Sequence, residues 1–159
     1  MVTMTHNENN YRLKIALYMP DIPQNTASII RTCSCLGAIP EIIEPCGFHT
    51  KDKRFRRVVM DYFDETEIKF YKDEMHFFKS KENQRIILMT TKAKKNYTDF
   101  KFRENDTLLF GRESSGVPEK IHKRLKYKLK IPMLKRKRSL NISTSVSIIM
   151  SEAIRQINY

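Results

Sequence analysis

The sequence predicts a single α/β domain, a mostly parallel sheet flanked by helices. Three observations carry that prediction. Short apolar runs alternate with helical patterns along the chain. Several of those runs are apolar throughout, as strands are when both faces of their sheet are covered. Finally, no internal repeat and no Pro/Gly/Ser linker divides the 159 residues.

The elements follow in order. Leu13 to Met19 reads as a strand, broken by Pro20 and Pro23. A helix is expected from about Thr26 to Leu36, with Asn25 as its N-cap and Gly37 as its stop. Ile39 to Ile43 is a second strand, and Asp52 can cap a basic helix through about Asp61. Glu67 to Tyr71 is a strand and Glu74 to Lys81 a helix. Arg85 to Thr91 and Thr107 to Phe110 are further strands. A short helix starts near Pro118, where proline is tolerated. Tyr127 to Met133 is the last strand. The final helix runs from Ser143 to about Ile157, with Val146, Ile149, Met150, Ala153, Ile154 and Ile157 on its apolar side. In such sheets ligands bind beyond the carboxyl ends of the strands, here Met19-Pro20, Thr90-Thr91, Phe110-Gly111 and Ile131-Pro132-Met133.

Composition bounds the partners. At 40% hydrophobic residues the chain can bury a core without disulfides or metals. Thirty Lys and Arg against 18 Asp and Glu give a formal net charge of +12, which favours a polyanionic partner. The arrangement sharpens this: from Lys120 to Ser151 there is no acidic residue. A solvated face mixes its signs, whereas a one-signed stripe attracts phosphates and releases their counterions. No apolar run is long enough to span a bilayer, so no membrane role is expected. Residues 1–11 are polar, lack a signal-peptide core and read as a disordered lead-in to a domain over 12–159. A cytoplasmic location is expected. The odd cysteine count of 3 fits reduced thiols.

Three loop-then-helix segments could carry chemistry. In Leu140-Asn141-Ile142-Ser143-Thr144-Ser145-Val146, polar side chains stand between a cationic loop, Lys135-Arg136-Lys137-Arg138-Ser139, and a buried helix. The loop from Phe110 to Pro118 has the Gly111–Gly116 spacing of a P-loop, but Val117-Pro118 replaces the required Lys-Ser/Thr. No G-x-G-x-x-G is present, so an ordinary dinucleotide site is unsupported. The two glycines still permit close backbone approach, or simply make a turn. Glu113 within that loop can accept from loop amides, from a basic partner such as Arg31, or from water. In the third segment Asn25 is a helix cap by local reading. Arg31 lies about one and a half turns further on, among Ile29, Ile30 and Cys33. There it is either partly buried against a carboxylate or phosphate, or a surface or structural arginine. A zinc site from Cys33, Cys35, Cys46 and His49 has poor geometry, because residues two apart on a helix diverge. No G-x-S-x-G elbow supports a hydrolase.

In this order, Asn25-Thr26-Ala27-Ser28-Ile29-Ile30-Arg31, Leu109 to Pro118, and Ile131-Pro132-Met133 with Arg138-Ser139-Leu140-Asn141-Ile142-Ser143 resemble the motifs of the SpoU-type branch of the SPOUT RNA methyltransferases. Leu17 to Gln24, Ile43 to Phe48, Asp52 to Arg57, Asp61-Tyr62 and Thr90-Thr91-Lys92 extend the likeness toward its small TrmL, or YibK-like, tRNA ribose methylases. The resemblance implies a C-terminal trefoil knot, a homodimer with both chains contributing to each site, and methyl transfer from S-adenosyl-L-methionine to the ribose 2′-oxygen of the wobble nucleotide in a tRNA anticodon stem-loop. It implies S-adenosyl-L-homocysteine as product. By motif, the cofactor would contact Met89, Thr90, Gly111, Ile131, Met133, Ser139 and Leu140. Arg31 matches the catalytic arginine, and Asn25, Glu113, Ser139 and Asn141 match the active-site polar residues. Arg54, Arg136, Lys137 and Arg138 are candidate RNA contacts. Ala27-Ser28 stand where Gly-Asn is common, Ser151 where a tyrosine is frequent, and Lys135-Arg136-Lys137 in place of a less basic loop. The basic stripe alone equally fits a non-catalytic RNA-binding or ribosome-assembly factor.

Overall fold

The computed structural model describes residues 13–63, 67–135 and 139–158. The expected lead-in over 1–11, and the candidate RNA contacts Arg136, Lys137 and Arg138, lie outside the described residues.

The strands are β1 (Lys14–Tyr18), β2 (Ile39–Ile43), β3 (Lys69–Tyr71), β4 (Ile86–Met89), β5 (Lys95–Asn96), β6 (Thr107–Phe110) and β7 (Tyr127–Lys130). They form one sheet of 7 strands in the order β3-β2-β1-β6-β4-β7-β5, and each neighbouring pair is parallel. The helices are α1 (Pro23–Leu36), α2 (Lys53–Phe63), α3 (Glu74–Ser80), α4 (Glu119–Arg124) and α5 (Ile142–Asn158).

Side chains alternate across the strands and so build two cores. Ile15, Leu17, Ile87, Leu108, Phe110 and Leu129 meet Ile29 and Cys33 of α1 and Val146, Ile149, Met150 and Ala153 of α5. Ala16, Tyr18, Leu88 and Leu109 point the other way, onto Phe77 and Phe78 of α3 and Ile121 of α4. A satellite cluster of Ala27, Ile30, Ile42, Phe55 and Val59 packs α2 beside α1. The strands that read as apolar throughout are therefore the ones covered on both faces. Gln156 staples α5 to the chain beyond β5: its Oε1 accepts from Phe102 N at 2.9 Å and its Nε2 donates to Phe100 O at 3.0 Å.

Several boundaries differ from expectation. Strands β4 and β7 stop at Met89 and Lys130, so Thr90-Thr91 and Ile131-Pro132-Met133 are loops. Helix α1 begins at Pro23, with Ile22 at its cap position and no capping side chain. Asn25 is thus inside the first turn and does not cap; proline at N1, pre-set for helical φ, moved the start upstream. Gly37 ends α1 as expected, at φ 77°. Asp52 caps α2, its Oδ1 accepting from Arg54 N at 2.6 Å. The strand β5 was not legible, since two residues carry no periodicity.

Candidate active site

Because every strand pair is parallel, the loops after β1, β4, β6 and β7 all emerge at the same end of the sheet. Between them lies a cleft of about 520 Å³, within the ordinary range for small-molecule sites. Leu88, Leu129, Ile131 and Ile149 contribute apolar wall; Asn25, Glu113, Ser114, Ser139, Asn141 and Ser145 contribute polar wall. Met89, Thr90, Gly111, Met133 and Leu140 also line it. The structure thus brings together all seven expected cofactor residues and four of the five expected catalytic ones.

The polar residues form a continuous relay. Glu113 sits on the β6–α4 loop and reaches across to the β1–α1 loop. Its Oε2 accepts from Asp21 N at 2.8 Å, and its Oε1 accepts from Ile22 N at 3.3 Å and Asn25 Nδ2 at 3.2 Å. Those three donors answer the open reading of Glu113: it meets two backbone amides of the β1–α1 loop and the side-chain amide of Asn25 in the first turn of α1. With Nδ2 of Asn25 committed to the carboxylate, its Oδ1 accepts from Asn141 Nδ2 at 3.0 Å. Asn141 in turn caps α5, accepting from Ser143 N at 2.8 Å and Thr144 N at 3.4 Å. The capping asparagine of this site is therefore Asn141. One further bond, between the Ser28 and Ser143 hydroxyls at 2.8 Å, ties α1 to α5 beside it.

A second carboxylate, overlooked in the sequence, works in the opposite direction. Asp21 accepts from Arg112 Nε at 3.1 Å and also pairs with its Nη2. It further accepts from Ser114 N at 3.0 Å and Ser114 Oγ at 2.6 Å. Each loop thus presents a carboxylate to the other. Arg112 first, and Ser114 next, hold the Asp21 carboxyl far below the usual range. The β2–α2 loop closes on the same point. Gly47 N donates to Pro20 O at 2.8 Å, and a Cβ on Gly47 would come within 3.0 Å of Asp21 Cα.

The glycine loop is a closed turn. Arg112 and Gly116 exchange backbone hydrogen bonds of 3.2 and 2.8 Å, and Gly116 has φ 68°. A Cβ on Gly111 would lie 2.6 Å from Gly116 C and Cα. Gly111 therefore makes room for its own loop, and Gly116 supplies the left-handed turn.

Arg31 is exposed on α1, the surface alternative of the two left open for it, and does not line this cleft. Arg54 is exposed at the start of α2 and also stands apart from the cleft. His122 does line it, and burial, with Lys92 next, lowers its pKa. Among the described residues no group of His, Cys, Asp and Glu could hold a metal ion. Cys33 is buried and Cys35 exposed, the divergence that made a shared ion poor geometry. No described helix is long and apolar enough to cross a membrane.

Residues 12–151 match the SpoU rRNA Methylase family. The chain belongs to this family. Among its relatives, a tRNA (cytidine(34)-2'-O)-methyltransferase of Beijerinckia indica is 43% identical over 145 residues, covering 90% of this chain and 91% of that one. The protein of the same name from Escherichia coli K12 is 40% identical over 149 residues, 92% and 95% of the two chains. A solved structure described as giving insights into the 2-OH methylation of C/U34 on tRNA superposes with a TM-score of 0.86 at 34% identity, covering 91% of this chain and 95% of that one. The SpoU-family likeness thus extends well beyond the motif segments.

Proposed function

We propose that this SpoU-family chain is a tRNA (cytidine/uridine-34) 2′-O-methyltransferase, using S-adenosyl-L-methionine to methylate the wobble ribose in the anticodon stem-loop. One observation carries the reading: the motif residues, scattered over more than a hundred positions, converge on one cleft in which Glu113, Asn25 and Asn141 are already hydrogen-bonded into one relay.

The residues present fit the cofactor. An apolar slot between Leu88, Leu129, Ile131 and Ile149 suits a purine, and the Ser139–Asn141 rim offers polar partners. Met89, Thr90, Gly111, Ile131, Met133, Ser139 and Leu140 would hold it. When bound, S-adenosyl-L-methionine supplies an electrophilic methyl group and leaves as S-adenosyl-L-homocysteine.

The chain's own residues position and stabilise. Glu113 freezes the Asn25 amide, and the α5 amides freeze that of Asn141, so both side chains meet a ribose already oriented. Ser139 stands on the same rim. Arg31 orients the attacking hydroxyl and stabilises the oxyanion that develops on it; a guanidinium stays protonated in ordinary surroundings and is poorly suited to be the base. Its exposure on α1, off the walls of the cleft, supports a homodimeric site in which two chains contribute. A single methyltransferase domain over 12–159, with the trefoil knot formed by the segments after β6 and β7, belongs to the same reading, as does RNA contact by Arg54 and Arg136 to Arg138.

The test is methylation of an unmodified tRNA by the purified protein with S-adenosyl-L-methionine, followed by mass mapping of nucleosides. A 2′-O-methyl group at position 34 is expected. Tight tRNA binding with no cofactor binding at millimolar concentration would instead identify a non-catalytic RNA-binding factor.

A further inference from the structure

A group of lysines stands at one end of the sheet, and the glycine-loop chemistry makes no use of it. β5 is the terminal strand on the side opposite β3. Lys94, Lys95, Lys123 and Lys126 are exposed there, and Lys130 is half-buried beside the cleft. The register sets Lys95 of β5 against Leu129 of β7 and Asn96 against Lys130, so Lys95 and Lys130 flank this edge from opposite faces of the sheet. Lys92 and Lys130 line the cleft itself, which makes the patch continuous with its mouth.

These cations are not used in structural ion pairs. Among the described residues, Lys94, Lys95, Lys123, Lys126 and Lys130 have no carboxylate within 4.0 Å, while Lys92 meets Glu119 only at 3.9 Å. Lys128 differs, donating at 2.8 Å to His122 O and to Leu125 O at the end of α4. Lys95 and Lys126 are exposed, and Nζ of each lies 5.5 Å from a ring centroid, Phe100 and Tyr127 respectively. That cation–π contact takes part of the freedom of each ammonium group in advance. Phosphate is the ligand such a row would take: each contact displaces counterions from the RNA.

We propose that, in the RNA complex of the functional reading above, the phosphate backbone continues from the cleft mouth across the β4–β5 loop and the β5 end of the sheet, held by Lys94, Lys95, Lys126 and Lys130. The competing explanation is that lysines on an edge strand only prevent strand pairing between molecules.

The experiment measures affinity for full-length tRNA against salt concentration. In Lys94→Ala/Lys95→Ala/Lys126→Ala, affinity should fall roughly 10- to 100-fold and the salt slope by roughly 2 to 3. Cofactor affinity by calorimetry should stay as in the wild type. Lys69→Ala/Lys72→Ala/Lys79→Ala, which removes equal charge near the β3 end, should leave the slope unchanged. A Lys94→Glu/Lys126→Glu pair, sparing the Lys95 contact with Phe100, reads the same slope if the triple variant fails to fold. An unchanged slope in the β5-end variants, or an equal loss in the β3-end control, would overturn the proposal. Wild-type protein that binds tRNA without methylating it would defeat the functional reading instead, and leave the slope measurement to judge this one.

Discussion

Asp21 and Arg112 stand 91 residues apart in the chain and form a two-nitrogen ion pair at the mouth of the cleft. The pair holds the β6–α4 loop against the β1–α1 loop, and Glu113, the next residue, is thereby aimed at Asn25. The charge of Asp21 matters accordingly. Its pKa is depressed on folding, so its contribution to stability is complete above the ordinary carboxylate value of 3.8 and disappears as pH falls below that toward the folded value. Urea denaturation of wild type and Asp21→Asn at pH 7 and again between pH 4 and 2 should show a stability gap that narrows on the acid side. A gap independent of pH would mean the pair is not ionic.

Glu113→Gln keeps the shape of the side chain but gives it an amide donor where it faces only donors: Asp21 N, Ile22 N and Asn25 Nδ2. The Asn25 amide should then lose its fixed orientation. Turnover should fall about 10- to 100-fold, the scale of a misplaced reactant, with cofactor affinity much less affected. Steady-state kinetics on tRNA together with calorimetry would separate the two effects.

Arg31→Lys retains a positive charge and loses the planar fork. Turnover should drop about 10²-fold or more, the cost of removing one oxyanion donor, while tRNA affinity stays near that of the wild type. Near-normal turnover would contradict an essential guanidinium.

Gly111→Ala should destabilise the domain by about 1–3 kcal/mol, because its Cβ would meet Gly116 backbone at 2.6 Å and backbone cannot swing aside as a flexible side chain does. The displaced loop should also weaken cofactor binding. Thermal melts with and without S-adenosyl-L-methionine measure both effects.

Thiol reactivity should follow exposure. Burial pushes the Cys33 thiol up to about 12, and burial with Glu44 and Glu113 nearby does the same for Cys46. Cys35 is exposed. Alkylation of native protein at pH 8, read by mass spectrometry, should label Cys35 first and reach the other two only on unfolding.

Much of the molecule is legible from local rules. The alternation of apolar runs and helical patterns determined the parallel α/β sheet, because burial on both faces leaves the run in Ile86-Ile87-Leu88-Met89 little choice. Gly37 and Asp52 announced a helix end and a helix start, since both act within a few residues of themselves. The motif segments determined the family. What the tertiary structure decided is which polar groups meet. Asn25 obeys local capping statistics on paper, yet a proline two residues earlier starts the helix upstream, and Glu113, 88 residues away, takes its amide. Asp21 and Arg112 look like ordinary loop charges until parallel strand order brings their loops to one end of the sheet. A hydrogen bond or a charged surface depends on distances of a few ångströms, and only the folded sheet sets those.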